Sequence, residues 1–336
     1  MSLYFRPVSQ FGPARPAQAE RIAQGWCWFS EVEVLERGRA PRIVPASALP
    51  DEVRARICAP RAALAGLTLS APRIMGIVNA TPDSFSDGGV FNAPEKAGAR
   101  VREMVAQGAD IIDIGGESTR PGAQTVPVAE EIARSAPVVR AACDAGVPLS
   151  IDTRKAPVAA AALAAGATMV NDVSAFNYDP QMIDVVAKND VPVCLMHSRS
   201  DPRTMQDNPV YDDVLLDVFD HLRARLDLAE RAGIARERII VDPGIGFGKT
   251  LEHNLALLRR LDLFHALGCA VLLGASRKRF IGTLSGEEVA ERRVAGSLGV
   301  ALAALGKGVQ IVRVHDVRET RQAVALWHAA SGLCVT

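Results

Sequence analysis

Eight short apolar runs recur along this chain, and each stops at a polar residue or a glycine-rich turn. Arg73-Ile-Met-Gly-Ile-Val78 ends in Asn79, and Ala109-Asp-Ile-Ile-Asp-Ile114 runs into Gly115-Gly-Glu-Ser-Thr-Arg-Pro-Gly122. Pro148-Leu-Ser-Ile151 ends in Asp152, Thr168-Met-Val170 in Asn171-Asp172, and Pro192-Val-Cys-Leu-Met196 in His197. Arg238-Ile-Ile-Val241 ends in Asp242, Ala270-Val-Leu-Leu273 leads to Gly274-Ala-Ser-Arg-Lys278, and Gln310-Ile-Val312 ends in Arg313-Val-His315. Short apolar runs separated by helical patterns indicate parallel strands buried on both faces. Eight of them predict an α/β chain closed into a TIM (β/α)8 barrel. That fold gathers functional groups at the C-terminal ends of its strands, so the polar residues that end the runs are the site candidates.

The stretch from Arg73 to Thr336 is close to the ~250 residues of one barrel, which makes residues 73–336 the catalytic unit. Residues 1–72 differ in character. Eight prolines punctuate them, Trp26 and Trp28 fall together, Trp26 to Leu35 has strand-like composition, and Leu49 to Ala63 suits a short helix. An N-terminal extension that packs on the barrel is the reading, since so many aromatics argue against a disordered tail. Helices are expected over residues 94–107, 129–145, 156–165, 179–189, 211–232, 251–261, 287–305 and 317–330. Gly108, Gly146, Gly166, Gly233, Gly268 and Gly306 stand at their ends, where a left-handed residue is wanted.

Composition narrows the partners. With 38 basic against 38 acidic side chains in 336 residues there is no global field to attract nucleic acid or an anionic membrane. No run is apolar and long enough for a membrane span, and a cytoplasmic protein acting on small molecules is expected. The six cysteines include no C-x-x-C pair and are read as buried small apolar residues. His221, His253, His265 and His328 fall in helical stretches and are read as surface or satisfied residues. The acidic stretch from Tyr211 to Glu230 is read as a solvated helix face.

Two familiar motifs fail. Gly248-Lys-Thr250 resembles the end of a phosphate-binding loop, but Pro243 stands where that loop needs glycine. Gly244-Ile-Gly-Phe-Gly248 has the wrong spacing for a dinucleotide fingerprint, and its glycines fit a backbone approached by a flat ligand.

The strand-end residues define a chemistry together. Asp152, Asn171 and Asp242 offer acceptors suited to a heterocycle edge that carries amino and ring N–H groups. Lys278, Arg313 and His315 bring positive charge or donors that suit an anionic leaving group such as a phosphate or diphosphate. Asn79 supplies a neutral oxygen, and Mg2+ takes one or two protein oxygens beside substrate phosphates.

Seven ordered motifs carry a resemblance. They are Asn79-Ala-Thr-Pro-Asp-Ser-Phe-Ser-Asp-Gly-Gly89, Asp113-Ile-Gly-Gly-Glu-Ser-Thr-Arg-Pro-Gly122, Ser150-Ile-Asp-Thr153, Asn171-Asp172, Asp242-Pro-Gly-Ile-Gly-Phe-Gly-Lys-Thr250, Ser276-Arg-Lys-Arg-Phe-Ile-Gly282 and Arg313-Val-His-Asp-Val317. Over residues 73–330 the chain resembles the dihydropteroate synthases of the pterin-binding enzyme family. The resemblance implies a transferase of folate biosynthesis that condenses 6-hydroxymethyl-7,8-dihydropterin diphosphate with 4-aminobenzoate. It also implies a sulfonamide target and a homodimer. Within it, Asp152, Asn171, Asp242 and Lys278 match the pterin-binding positions, with Met196 and Gly274 lining the pocket. Asn79 matches the magnesium ligand, and Arg313, His315 and Thr119 fall to the diphosphate site. Phe85, Thr119, Arg120, Pro121 and Phe247 match the groups that enclose aminobenzoate.

Three departures from the family pattern stand out. Ala80 replaces the usual valine, a tolerable change. Ser198-Arg199-Ser200-Asp201-Pro202 follows His197 where a methionine and a glycine before the proline are common. Arg279 stands where many members carry a serine that holds the aminobenzoate carboxylate, so its guanidinium or a helix-start N–H takes that task. A pterin-binding methyltransferase of the same barrel superfamily would share Asp152, Asn171 and Asp242 but has no need of cations around a diphosphate. A non-catalytic paralogue would have no need of the intact loops 79–89 and 117–122.

Overall fold

The computed structural model describes residues 2–80, 93–118, 123–198 and 209–333. Six short strands come first: β1 (Leu3–Pro7), β2 (Gln10–Phe11), β3 (Glu20–Arg21), β4 (Cys27–Phe29), β5 (Glu31–Glu36) and β6 (Arg42–Pro45). Helix α1 (Asp51–Cys58) follows, inside the stretch the sequence marks as helical. The strands form two small antiparallel sheets, one ordered β1-β5-β6 and the other β2-β4-β3. Phe29 and Val32 are completely buried, so the apolar side of this segment has found a partner surface.

That surface is the barrel. The Trp26 indole N–H donates to the Leu305 carbonyl at 2.7 Å, and the Tyr4 hydroxyl donates to Asp220 at 2.7 Å. Arg6 bridges Asp262 and Glu33, both at 2.6 Å, while Arg260 closes on Glu33 at 2.9 Å. Arg37 pairs with Asp217 and Asp220. The acidic stretch after Tyr211 is therefore not simply a solvated face, because Arg37 and Tyr4 occupy two of its carboxylates.

All eight apolar runs are strands: β7 (Arg73–Asn79), β8 (Ile111–Gly115), β9 (Leu149–Asp152), β10 (Met169–Asp172), β11 (Val193–Met196), β12 (Ile239–Asp242), β13 (Ala270–Gly274) and β14 (Ile311–Val314). They pair in parallel from β7 round to β14, and β14 pairs with β7 to close the barrel. Helices α2 (Ala93–Ala106), α3 (Val128–Ala142), α4 (Ala156–Ala165), α5 (Met182–Asn189), α6 (Val214–Arg231), α7 (Leu251–Arg259), α8 (Arg279–Ser285), α9 (Val294–Leu305) and α10 (Val317–Ala330) lie between and after the strands.

The period-two pleat divides each strand into two sets. Ile112, Ile114, Ile151, Val170, Val241 and Val312 join the large core shared with the helices. Met75, Ile111, Met169, Cys194, Ile240, Leu272 and Ile311 form a separate inner cluster, joined from outside the barrel by Leu64 and Leu69. Continuing the inner parity upward by two residues reaches Asp113, Asn171, Met196, Asp242, Gly274 and Arg313. One arithmetic rule thus delivers an apolar floor and a polar mouth.

Several expectations need correction. Residues 287–305 are not one helix, because Arg293 turns back to the carbonyls of Glu287 and Glu288 and α9 starts only at Val294. Helix α8 starts at Arg279, where a helix start was expected, and runs to Ser285. Gly306 is right-handed at φ −65°, and Gly308 at φ +78° takes the left-handed position instead. Cys143 is exposed and Cys58 half-buried, since neither lies on an inward helix position, while Cys27, Cys194 and Cys269 are buried. His221, His265 and His328 each keep a buried ring nitrogen with no partner among the described residues, so they are not satisfied. His265 is fully buried and His253 completes a capping box with Thr250 at the start of α7.

Candidate active site

The barrel register places the strand-end residues side by side. Asp152 pairs with Asn171, Gly115 with both Asn79 and Asp152, Met196 with Asp242, and Gly274 with Arg313. Asp152, Asn171, Met196 and Asp242 are buried, whereas Lys278, Arg313 and His315 are partly open and Asn79 and Arg279 exposed. The residues predicted from strand ends thus occupy one mouth.

A guanidinium holds the centre. Arg313 Nε donates to Asp113 Oδ2 at 2.6 Å, and its Nη2 donates to Asp152 Oδ2 at 2.7 Å. Asn171 Nδ2 donates to the same Asp113 oxygen at 2.9 Å. Burial works against the charge on Arg313, but Asp113 and Asp152 outweigh it and raise its pKa further. Burial dominates at Asp152, pushing its carboxyl up to about 7 in spite of Arg313. Asp152 Oδ1 and Asp113 Oδ1 are buried with no partner among the described residues. Unspent acceptors in a buried site are costly unless a ligand donates to them.

Asp242 stands on a turn shaped for it. Its Oδ1 accepts from the Gly244 N–H at 2.8 Å, and burial raises its pKa. Gly244 has φ +68°, and a Cβ there would lie 1.9 Å from the His197 carbonyl oxygen, so only glycine fits. Lys249 ties the turn down from within. Its ammonium bonds to the carbonyls of Gly244 and Phe247 and to His197 Nδ1, each at 2.9 Å. Lys278 donates to the Ile245 carbonyl and lies 4.4 Å over the Phe247 ring. Burial pulls its pKa down to about 8. Gly274 faces the same carboxylate: a Cβ built there would lie 3.5 Å from Asp242 Oδ2, in ordinary van der Waals contact.

Beyond β13 the backbone is strained. Arg277 takes φ +59°, unusual without glycine, and is held there by its ion pair with Asp316. This kink sends Lys278 toward the mouth and begins α8, whose first residue is Arg279. Ser276 Oγ lies 3.0 Å from His315 Nδ1 and accepts from the His315 backbone N–H at 3.2 Å, which orients the ring.

A second buried cluster follows Asp152. Lys155 binds Glu117, Glu131 at 2.5 Å and the Val126 carbonyl at 2.6 Å, while Arg154 pairs with Glu117 at 3.0 Å and Thr153 with Glu131 at 2.7 Å. Glu117 and Val126 belong to the connection after β8, so that connection is anchored to the residues following β9. Asp113, Lys155, Glu131 and Arg154 were given no part by the sequence reading. For Asp113 the signal was present: it shares the inward parity of Ile111 and breaks an otherwise apolar run.

Phe85, Thr119, Arg120 and Pro121 lie outside the described residues. Among the described residues no group of three His, Cys, Asp or Glu side chains could hold a metal. Asn79, exposed at the end of β7 beside Gly115, offers a single neutral oxygen, which fits a hydrated Mg2+ that draws its other ligands from phosphate and not a metal caged by protein.

Comparison with known proteins agrees with this geometry. A family model described as "Pterin binding enzyme" matches residues 75–315. The dihydropteroate synthase of Neisseria meningitidis serogroup B is 49% identical over 267 residues, covering 78% of this chain and 93% of that protein. A structure of Xanthomonas albilineans dihydropteroate synthase with 4-aminobenzoic acid superposes with a TM-score of 0.75 at 48% identity, covering 80% of this chain and 97% of that one. The Yersinia pestis dihydropteroate synthase in a sulfonamide drug complex gives a TM-score of 0.75 at 43% identity, covering 80% and 98%.

Proposed function

Because the chain belongs to the pterin-binding enzyme family, we propose that it works as a dihydropteroate synthase, condensing 6-hydroxymethyl-7,8-dihydropterin diphosphate with 4-aminobenzoate in folate biosynthesis. The observation that carries this reading is the meeting, in one barrel mouth, of the acceptors Asp152, Asn171 and Asp242 with the cations Arg313 and Lys278. A pterin-binding methyltransferase needs the acceptors but has no diphosphate for the cations to meet.

The reaction breaks the bond between the pterin methylene carbon and the diphosphate oxygen, and the electron pair leaves with the diphosphate. The aniline nitrogen forms the new bond and gives up one proton. Asp152 and Asp242 stabilise positive charge that develops on the pterin, and the guanidinium of Arg313 and the ring of His315 stabilise the departing anion. Aniline nitrogen is nucleophilic enough once the carbon is cationic, so no activated protein nucleophile is required. Phe247 and Lys278 form one wall of the mouth, to which the resemblance adds Phe85, Thr119, Arg120 and Pro121 for aminobenzoate, with Arg279 near its carboxylate.

Asn79 would hold Mg2+, which when bound would neutralise charge on the diphosphate. The Yersinia pestis complex supports a sulfonamide-sensitive site here as well. The family resemblance supports a homodimer, and the balanced charge of the sequence supports a cytoplasmic enzyme; no helix among the described residues is long and apolar enough to cross a membrane. The test is aminobenzoate-dependent release of diphosphate, with 7,8-dihydropteroate identified by mass. Release that ignores aminobenzoate would reject the synthase.

A further inference from the structure

Asp113 opens the motif Asp113–Gly122 but lies below the rim, two residues short of the end of β8 and completely buried inside the barrel. One of its oxygens, Oδ2, accepts from Arg313 Nε at 2.6 Å and from Asn171 Nδ2 at 2.9 Å. A carboxylate bound to a guanidinium can only accept. Asn171 must therefore turn its amino group toward Asp113, because the reverse orientation would set its carbonyl oxygen against a carboxylate oxygen. Its Oδ1 accepts no hydrogen bond among the described residues. The amide is thus polarised by a group that the ligand itself does not meet.

We propose that Asp113 is a positioning residue that fixes the hydrogen-bonding sense of the pocket, turning the Asn171 carbonyl outward so that the pocket selects a heterocycle edge rich in N–H donors. The inference rests on the pterin reading of the site. With Asp152 and Asp242 it makes the pocket face an array of acceptors, and an edge that lacks one donor leaves a buried acceptor unpaired. Such a mismatch costs about 10- to 1,000-fold in affinity. The same carboxylate also sets the Nε side of Arg313, an effect that falls on any ligand alike.

The test measures ratios and so separates the two effects. Binding of unphosphorylated 6-hydroxymethyl-7,8-dihydropterin is compared by calorimetry with that of its 2-desamino counterpart, which lacks the two N–H donors of the amino group, and its 8-deaza counterpart, which lacks the single N8–H. The wild-type protein is expected to reject at least one counterpart by about 100-fold. In Asp113→Leu, which removes the oxygen that fixes Asn171, the amide is free to flip and that ratio falls below about tenfold, while Asp113→Asn, whose carbonyl oxygen can stand where Oδ2 stands and accept from both Arg313 and Asn171, keeps it. The asparagine variant nearly keeps the buried volume and serves as the readout if the leucine variant is unstable. A wild-type ratio in Asp113→Leu, or a ratio below about tenfold in Asp113→Asn, would overturn the inference, as would a wild-type protein that binds all three pterins equally. A wild-type protein that binds none of them would reject the pterin reading beneath it.

Discussion

Arg313 Nη2 lies 2.7 Å from Asp152 Oδ2, so the cation proposed for the diphosphate is spent on the carboxylate proposed for the pterin until a ligand arrives. Burial nevertheless holds Asp152 up at about 7 and brings Lys278 down to about 8. As pH falls through the first value an acceptor is lost, and as it rises through the second a cation is lost. The pH profile of kcat/KM for the pterin diphosphate should therefore be bell-shaped, with apparent limbs near these values. A flat profile between about pH 6 and 9 would show that neither group titrates in the free enzyme.

The same carboxylate makes a stability prediction of definite sign. Its folded pKa lies above the unfolded value of 3.8, so between about 4 and 7 the folded state holds the proton more firmly and stability declines as pH rises. Asp152→Asn removes the charge that burial opposes and leaves Arg313 paired with Asp113. The variant should melt above the wild type at pH 8, with the gap shrinking toward pH 4.5, and should be catalytically poor. Equal melting shifts at both pH values would contradict this.

Lys155 neutralises two buried carboxylates, Glu117 and Glu131. Replacing it by methionine leaves Glu131 without its cation and Glu117 with Arg154 alone, and should cost roughly 3–5 kcal/mol in urea unfolding. Adding Glu131→Gln should return part of that loss. If the double variant is no more stable than the single one, packing and not charge holds the cluster.

Metal removal should act selectively. With one neutral protein oxygen at Asn79, Mg2+ depends on the phosphates for its remaining contacts, so chelation should weaken pterin diphosphate binding well beyond tenfold and leave the unphosphorylated pterin almost unchanged. Calorimetry with and without chelator decides, and equal losses for the two ligands would remove the metal from the diphosphate site.

What the sequence made legible was what repeats or terminates. Eight apolar runs announced eight strands, and Asp152, Asn171, Asp242, Gly274 and Arg313 announced themselves by ending them. Partnership was not legible. That Arg37 neutralises Asp217, or that Lys155 reaches Glu117 and Glu131, depends on which helices the closed barrel brings together across long stretches of chain. Asp113 was legible in principle, through its parity with Ile111, but an apolar run is read for its average and not for its exceptions. Arg293 split a predicted helix because a side chain competed for its carbonyls, which no propensity records.

Leu64 and Leu69 join the inner cluster formed by Met75, Ile111 and Ile311, although they precede the first barrel strand. The barrel is stoppered at its foot by residues that a boundary drawn at Pro72 assigns elsewhere. A cut at residue 72 would therefore part the barrel from its own stopper and open the strand floor to water, whereas one upstream of Leu64 would keep the inner cluster whole.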